Sequence, residues 1–240
     1  MACVLALGLA VAAPASAQPG VFAHGTVEQL FTTAQPGAPA GFTFTGSYHA
    51  AGDASADPPY MRKMVFYPPL GTRYDTRVPA RCTASDTELQ LRGPAACPAG
   101  SQIGKGTSSG KVLGTFQGTL DTYLFNNAGE QILVGATPGL WTVGRGRIGP
   151  DGSITYAFPT CFPNFDPPGC PVDDVLQLAS TMNAPAVIRT SDGATRAYVT
   201  TPPTCPASGQ WDTTIKFWWA DGSQDTAVTQ TPCRLADASP

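Results

Sequence analysis

Three times in this chain an Asp-Gly pair stands between two apolar runs, at Asp151-Gly152, Asp192-Gly193 and Asp221-Gly222. Asp-Gly tolerates the positive φ of a tight hairpin, so each pair predicts two short antiparallel strands joined locally. With 26 glycines and 24 prolines in 240 residues, most apolar runs stop before they reach helix length. Strands are therefore expected at residues 27–33, 42–49, 61–67, 101–112, 119–125, 131–137 and 141–148. Further strands follow at 153–158, 176–182, 186–190, 196–201, 211–219 and 224–231.

Residues 42–49 alternate, with Phe42, Phe44 and Tyr48 on one face and Thr43, Thr45 and Ser47 on the other. Residues 211–219 place Trp211, Thr213, Ile215, Phe217 and Trp219 on a core face and turn Trp218 outward with Lys216. One short helix is expected near 86–92. Ser85 and Glu88 fit a capping box, and Gly93-Pro94 supply a stop. The expected fold is an all-β, disulfide-stapled β-sandwich, Ig-like or jelly-roll, because two layers let each strand bury one face.

The first residues predict a leader. Residues 4–13 are apolar or glycine, and Ala15-Ser16-Ala17 is a small-x-small cleavage site, which makes 1–17 a secretory signal peptide. Met1-Ala2-Cys3 carries no basic charge, so the natural start is expected upstream of this Met. Residues 18–240 then form a single domain by length, with two half-domains split near 115 as the alternative. An oxidising compartment suits the remaining cysteines. Nearest neighbours are expected to pair as Cys82–Cys97, Cys161–Cys170 and Cys205–Cys233. No further apolar stretch is long enough to span a bilayer, so the expected location is secreted or extracellular.

Several chemistries fail on residue type or spacing. A net charge of −3 without a basic block argues against nucleic acid. Gly104-Lys105-Gly106 lacks the hydroxyl residue and the upstream glycine of a phosphate loop. The cysteines show no zinc spacing. His24 and His49 are the only histidines, and no Gly-x-Ser-x-Gly elbow is present. His49 stands before a loop holding Asp53 and Asp57. Asp166, Asp173 and Asp174 flank the 161–170 staple, where oxygen ligands would suit calcium. Neither group matches an ordered catalytic or metal pattern, so no catalytic residue, no metal and no cofactor are expected.

The run from Cys97 to Gly106, Cys-Pro-x-x-Ser-x-Ile-Gly-x-Gly, resembles one carried by a group of uncharacterised secreted β-proteins of actinobacteria. Their C-terminal block is similar too: Cys205-Pro206, Gly209-x-Trp211, Asp221-Gly222-Ser223 and Pro232-Cys233. The resemblance implies export and β architecture and transfers no catalytic residue. The function expected from the sequence is a non-enzymatic secreted or cell-envelope module, structural, adhesive or binding, whose partner is a cell-wall glycan or a surface protein. An exposed Trp218 would instead make it a carbohydrate-binding module. A secreted hydrolase is the third alternative.

Overall fold

A computed structural model describes residues 17–112, 116–137, 140–158, 175–191 and 193–234. The expected leader at 1–17, apart from Ala17, lies outside the described residues. So do the Cys161–Cys170 staple, Asp166, Asp173 and Asp174.

The described chain is almost entirely β-structure. In order the strands are β1 (Gly20–Phe22), β2 (Gly25–Phe31), β3 (Pro39–Ala40), β4 (Phe42–Tyr48), β5 (Met61–Tyr67) and β6 (Arg73–Tyr74). After helix α1 (Asp86–Arg92) come β7 (Gln102–Val112), β8 (Phe116–Asn127), β9 (Glu130–Thr137), β10 (Leu140–Ile148), β11 (Ile154–Ala157) and β12 (Val175–Ala184). The last are β13 (Ile188–Ser191), β14 (Ala194–Ala197), β15 (Val199–Thr200), β16 (Gln210–Trp219) and β17 (Gln224–Pro232).

Twelve strands form one antiparallel sheet in the order β1-β2-β4-β12-β7-β8-β9-β10-β11-β5-β16-β17. The sandwich-like, all-β, disulfide-stapled fold thus stands, with its opposing layers belonging to one sheet that curls nearly into a barrel. Strands β13 and β14 form a separate hairpin, and β3, β15 and β6 a small third sheet.

The two ends of the large sheet meet along a seam. Gln18 and Gln230 exchange backbone hydrogen bonds, and Arg234 N–H donates to the Ala34 carbonyl. Between these points, side chains replace the missing ladder. Thr229 Oγ1 accepts from Gln29 N–H at 3.4 Å and donates to the Gln29 carbonyl at 3.0 Å, while Thr231 Oγ1 accepts from Phe31 N–H at 3.3 Å. Both threonines are buried. Open strand edges invite pairing with other chains, and this closure removes one such edge.

His24 belongs to the same seam. The β1–β2 turn tucks His24 under Trp219, with ring centroids 5.0 Å apart. Its Nδ1 donates to Asp225 Oδ2 at 2.6 Å, and Trp219 Nε1 donates to the same oxygen at 2.8 Å. The partners stand 201 residues apart, so no local pattern announces the pair.

The sheet carries two cores. The larger fills its concave side. There Phe22 stacks on Phe217, Phe31 meets Trp211 edge-on, and Phe44 meets Phe66 edge-on. The smaller lies on the outer face of β8, β9 and β10, under α1. Leu89 of the helix and the Cys82–Cys97 disulfide pack there on Phe125, Ile132, Val134 and Val143. The capping box is present: Ser85 Oγ accepts from Glu88 N–H, and the Glu88 carboxylate accepts from Ser85 N–H. Gly93 ends the helix at φ 57°, and a Cβ there would run into the Trp141 ring. The second bridge, Cys205–Cys233, ties the entry of β16 to the exit of β17.

The Asp151-Gly152 and Asp221-Gly222 turns form as expected, with one added detail, while Asp192 lies outside the described residues. In Asp151-Gly152-Ser153 and Asp221-Gly222-Ser223 the aspartate Oδ1 accepts both the N–H and the hydroxyl of the serine two residues on. These bonds, made to the ionised form, hold both carboxyls below the usual carboxylate range. The loop after His49 is built the same way around Asp53 and Ser55, with backbone bonds linking Ala50, Asp53 and Ala56.

Candidate functional site

A cavity of about 210 Å³ lies on the concave side of the sheet. Its inner wall is buried and mostly apolar: Phe42, Phe44, Met64, Phe66, Leu124, Ile154 and Met182. Its rim is half-buried and mixed, and includes Tyr60, Arg62, Gln90, Leu120, Thr142 and Gln177. The chain has four methionines, and the three described ones, Met61, Met64 and Met182, all line this space. Methionine is flexible and polarizable, so it adapts its surface to irregular apolar occupants.

Strand register explains why space remains here. Cross-strand partners place Gln29, Phe44, Met182, Gly106, Thr122, Gly135 and Thr142 in one row across β2, β4, β12, β7, β8, β9 and β10. Two positions of that row are glycine and two are threonine, so its β7–β10 segment carries little volume. A second row runs through Asn126, Gln131, Gly146, Tyr156, Met64 and Phe217. Gly146 leaves the place over which the Tyr156 ring lies. A Cβ added there would sit 2.5–2.9 Å from three ring atoms.

That ring carries a polar relay to the cavity wall. Tyr156 OH donates to Gln131 Oε1 at 2.5 Å, and Gln131 Nε2 donates to Tyr198 OH at 2.9 Å. All three residues are buried. Burial, which disfavours the phenolate, raises the Tyr156 and Tyr198 hydroxyls well above the ordinary tyrosine value; Gln131 partly offsets this at Tyr198. Both therefore remain neutral donors and acceptors at physiological pH. One strand further into the fold wall, Asn126 donates from Nδ2 to the Thr76 and Ala80 carbonyls at 3.0 and 2.9 Å, which pins the 76–82 loop to β8.

The residues singled out from sequence are scattered relative to this cavity. Trp218 lies on the outer face of β16, as its alternation predicts, and is half-buried. Lys63, its cross-strand partner, sets Nζ 4.3 Å from the indole centroid. Lys216 makes a similar contact with Tyr67 at 5.5 Å. His49 spends Nδ1 on the adjacent Ala50 carbonyl at 2.8 Å. Asp53 is bound to Ser55, and Asp57 pairs with Lys111. Each of the three thus bonds to a different group, although His49 stands near enough to Asp53 to help Ser55 lower its carboxyl. Among the described residues, no three His, Cys, Asp or Glu side chains gather where they would hold a metal ion. Gly104, Lys105 and Gly106 lie within β7, where Gly106 passes against the Thr181 carbonyl and Lys105 pairs with Asp121 at 3.4 Å.

The cavity was not legible beforehand. Its residues come from nine strands of the large sheet, and their common signal, apolar residues alternating along strands, is the signal of any core. The clustering of all three described methionines becomes visible only once the register is known.

No protein family, curated protein or solved structure matches this chain. The site therefore rests on its own geometry. Among the described residues, no helix is long and apolar enough to cross a membrane, and two disulfides are formed.

Proposed function

We propose that the protein is a non-enzymatic, exported binding module that holds one small apolar molecule on the concave side of its sheet. The observation that carries this reading is the cavity itself, about 210 Å³ with a buried wall of aromatic, aliphatic and methionine side chains. Apolar cavities of about 150 Å³ already take up benzene, so a space of this size suits one small apolar molecule. Ligand pockets in β-structures have this composition: an apolar wall with a few placed polar groups. The leader-like N-terminus and the two disulfides support export.

A glycan platform at Trp218 is the second reading. Its outward, half-buried indole on a polar strand face favours it, and the Lys63 ammonium over one ring face competes with a stacked sugar. The hydrolase reading has the least support, because His49 and its neighbouring aspartates each hold separate partners.

Titration with N-phenyl-1-naphthylamine, whose emission rises in apolar surroundings, tests the cavity reading. A saturable 1:1 rise is expected. A signal that never saturates, or none at all, would overturn it.

A further inference from the structure

Resting on the cavity reading above, we infer that the ligand is an apolar molecule carrying a carbonyl oxygen, which accepts a hydrogen bond from Tyr74 where Gln131 and Tyr156 wall the cavity. All three residues line that space. Topology brings their polar ends together. Strands β6 and β15 pair with Tyr74 opposite Val199, and Asp75 N–H donates to the Tyr198 carbonyl at 2.8 Å. The Tyr74 and Tyr198 rings meet edge-on, with centroids 6.0 Å apart. Tyr198 in turn holds Gln131, and Gln131 holds Tyr156. The phenols stand near enough to feel one another: besides burial, Tyr74 raises the hydroxyls of both Tyr156 and Tyr198.

This cluster holds more donors than it uses. Tyr156 spends its hydroxyl hydrogen on Gln131, and Gln131 spends one amide hydrogen on Tyr198. Three hydrogens remain: the second on Gln131 Nε2, the one on Tyr198 and the one on Tyr74. Among the described residues none of them meets an acceptor, and the Tyr74 side chain makes no hydrogen bond. Burial raises the Tyr74 hydroxyl well above its ordinary value, with no bond to offset it. Yet Asn126 Oδ1 is the one fully enclosed side-chain polar atom left unbonded among the described residues. The Tyr74 hydroxyl therefore keeps some open surface, and the space that Tyr74 lines is the cavity.

Tyr156, Gln131 and Tyr198 are 6%, 2% and 2% exposed, so bulk water has little access to the group. Buried donors without acceptors are costly to maintain. A carbonyl oxygen brings two lone pairs and no hydrogen, so it relieves the surplus. A ligand hydroxyl would bring a further hydrogen with its lone pairs. The site thus suits an apolar ketone, aldehyde or ester over a bare hydrocarbon.

Two ligands of the same shape test this: 2-acetylnaphthalene, and 2-isopropenylnaphthalene, in which a methylene group replaces the carbonyl oxygen. Each is measured by equilibrium dialysis against the oxidised full chain and against its Tyr74→Phe variant. The Tyr74 hydroxyl has no protein partner to lose, so the variant should fold as the parent does. It should bind 2-acetylnaphthalene about fivefold more weakly, the size of one buried hydrogen bond, and 2-isopropenylnaphthalene within about twofold of the parent. The infrared carbonyl stretch of bound 2-acetylnaphthalene should lie lower in the parent than in the variant. An equal change for both ligands, or a ketone affinity that Tyr74→Phe leaves in place, would overturn the assignment. Binding of N-phenyl-1-naphthylamine in the same preparation keeps the two questions apart. If it binds and the ketone does not depend on Tyr74, the carbonyl assignment alone fails; if it does not bind, the cavity reading fails with it.

Discussion

Gly146 is the position where the cavity's shape and the fold's stability meet in one atom. Gly146→Ala would place a methyl group 2.5–2.9 Å from three atoms of the Tyr156 ring. Ordinary carbon contacts lie at about 3.5–4.0 Å, so the ring must retreat by roughly 1 Å. It is not free to do so at no cost. Its hydroxyl is bonded to Gln131, Phe158 stacks beside it, and Phe66 meets it edge-on. Overpacking of this kind costs about 1–3 kcal/mol, and losing the donor to a buried Gln131 oxygen adds about 1–3 kcal/mol. With partial relaxation the expected loss is about 2–4 kcal/mol, a fall in Tm of roughly 5–15 °C for a chain of this size. Thermal unfolding followed by far-ultraviolet circular dichroism measures it. A double-mutant cycle isolates the cause. In a Tyr156→Ala background the same methyl group has nothing to strike, so Gly146→Ala should be neutral or slightly stabilising there, as glycine replacement in a strand otherwise is. An equal cost in both backgrounds, or a Tm within 1 °C of the parent, would refute the reasoning.

Other consequences follow from the same structure. Removing the Cys205–Cys233 bridge as a double alanine variant frees a loop with sequence separation 28, for an expected loss of about 3–4 kcal/mol, readable as a lower denaturant midpoint. Asn126→Asp places a carboxylate against the Thr76 and Ala80 carbonyls at a site with no exposure, so a loss of about 3 kcal/mol or more is expected by urea titration. Alkali should unfold the protein through its buried tyrosines. Burial pushes the Tyr48 hydroxyl up to about 12 and raises Tyr156 and Tyr198 well above their ordinary value. A folded value above the unfolded one, near 10, means that this stabilisation is complete below pH 10 and is lost as pH rises through about 12. Absorbance at 295 nm should therefore show these phenols ionising together with the loss of near-ultraviolet dichroism. Their ionisation at pH 10 in a folded protein would contradict the assignment.

Local features of the fold were legible because their causes are local. The Ser85–Glu88 capping box, the Asp-Gly-Ser turns, the alternation along residues 42–48 and 211–219, and the pairing of Cys82 with Cys97 each depend on residues close in sequence. Closure of the sheet was not legible. It depends on Thr229 and Thr231 meeting Gln29 and Phe31 some 200 residues away, and on Asp225 meeting His24. Threonine in a strand reads as an ordinary outward-facing residue, and nothing in its neighbours says that it will cap a distant edge. The cavity was hidden for the same reason: Gly135 and Gly146 read as strand glycines until register sets them against Thr122, Thr142 and Tyr156. Trp218 was placed on the correct face, but the Lys63 ammonium that lies over it came from a strand 155 positions earlier in a pairing no spacing rule gives.

The central claim is that an apolar molecule binds inside the curled sheet, and the methionines report on it directly. Met61, Met64 and Met182 all line the cavity, so protein labelled with 13C at the methionine methyl groups places three probes on its wall. Titration with N-phenyl-1-naphthylamine should shift all three methyl resonances along one saturation curve, with the same Kd as the fluorescence change. A fluorescence change that leaves these three resonances in place would put the dye on the outer surface and contradict the account.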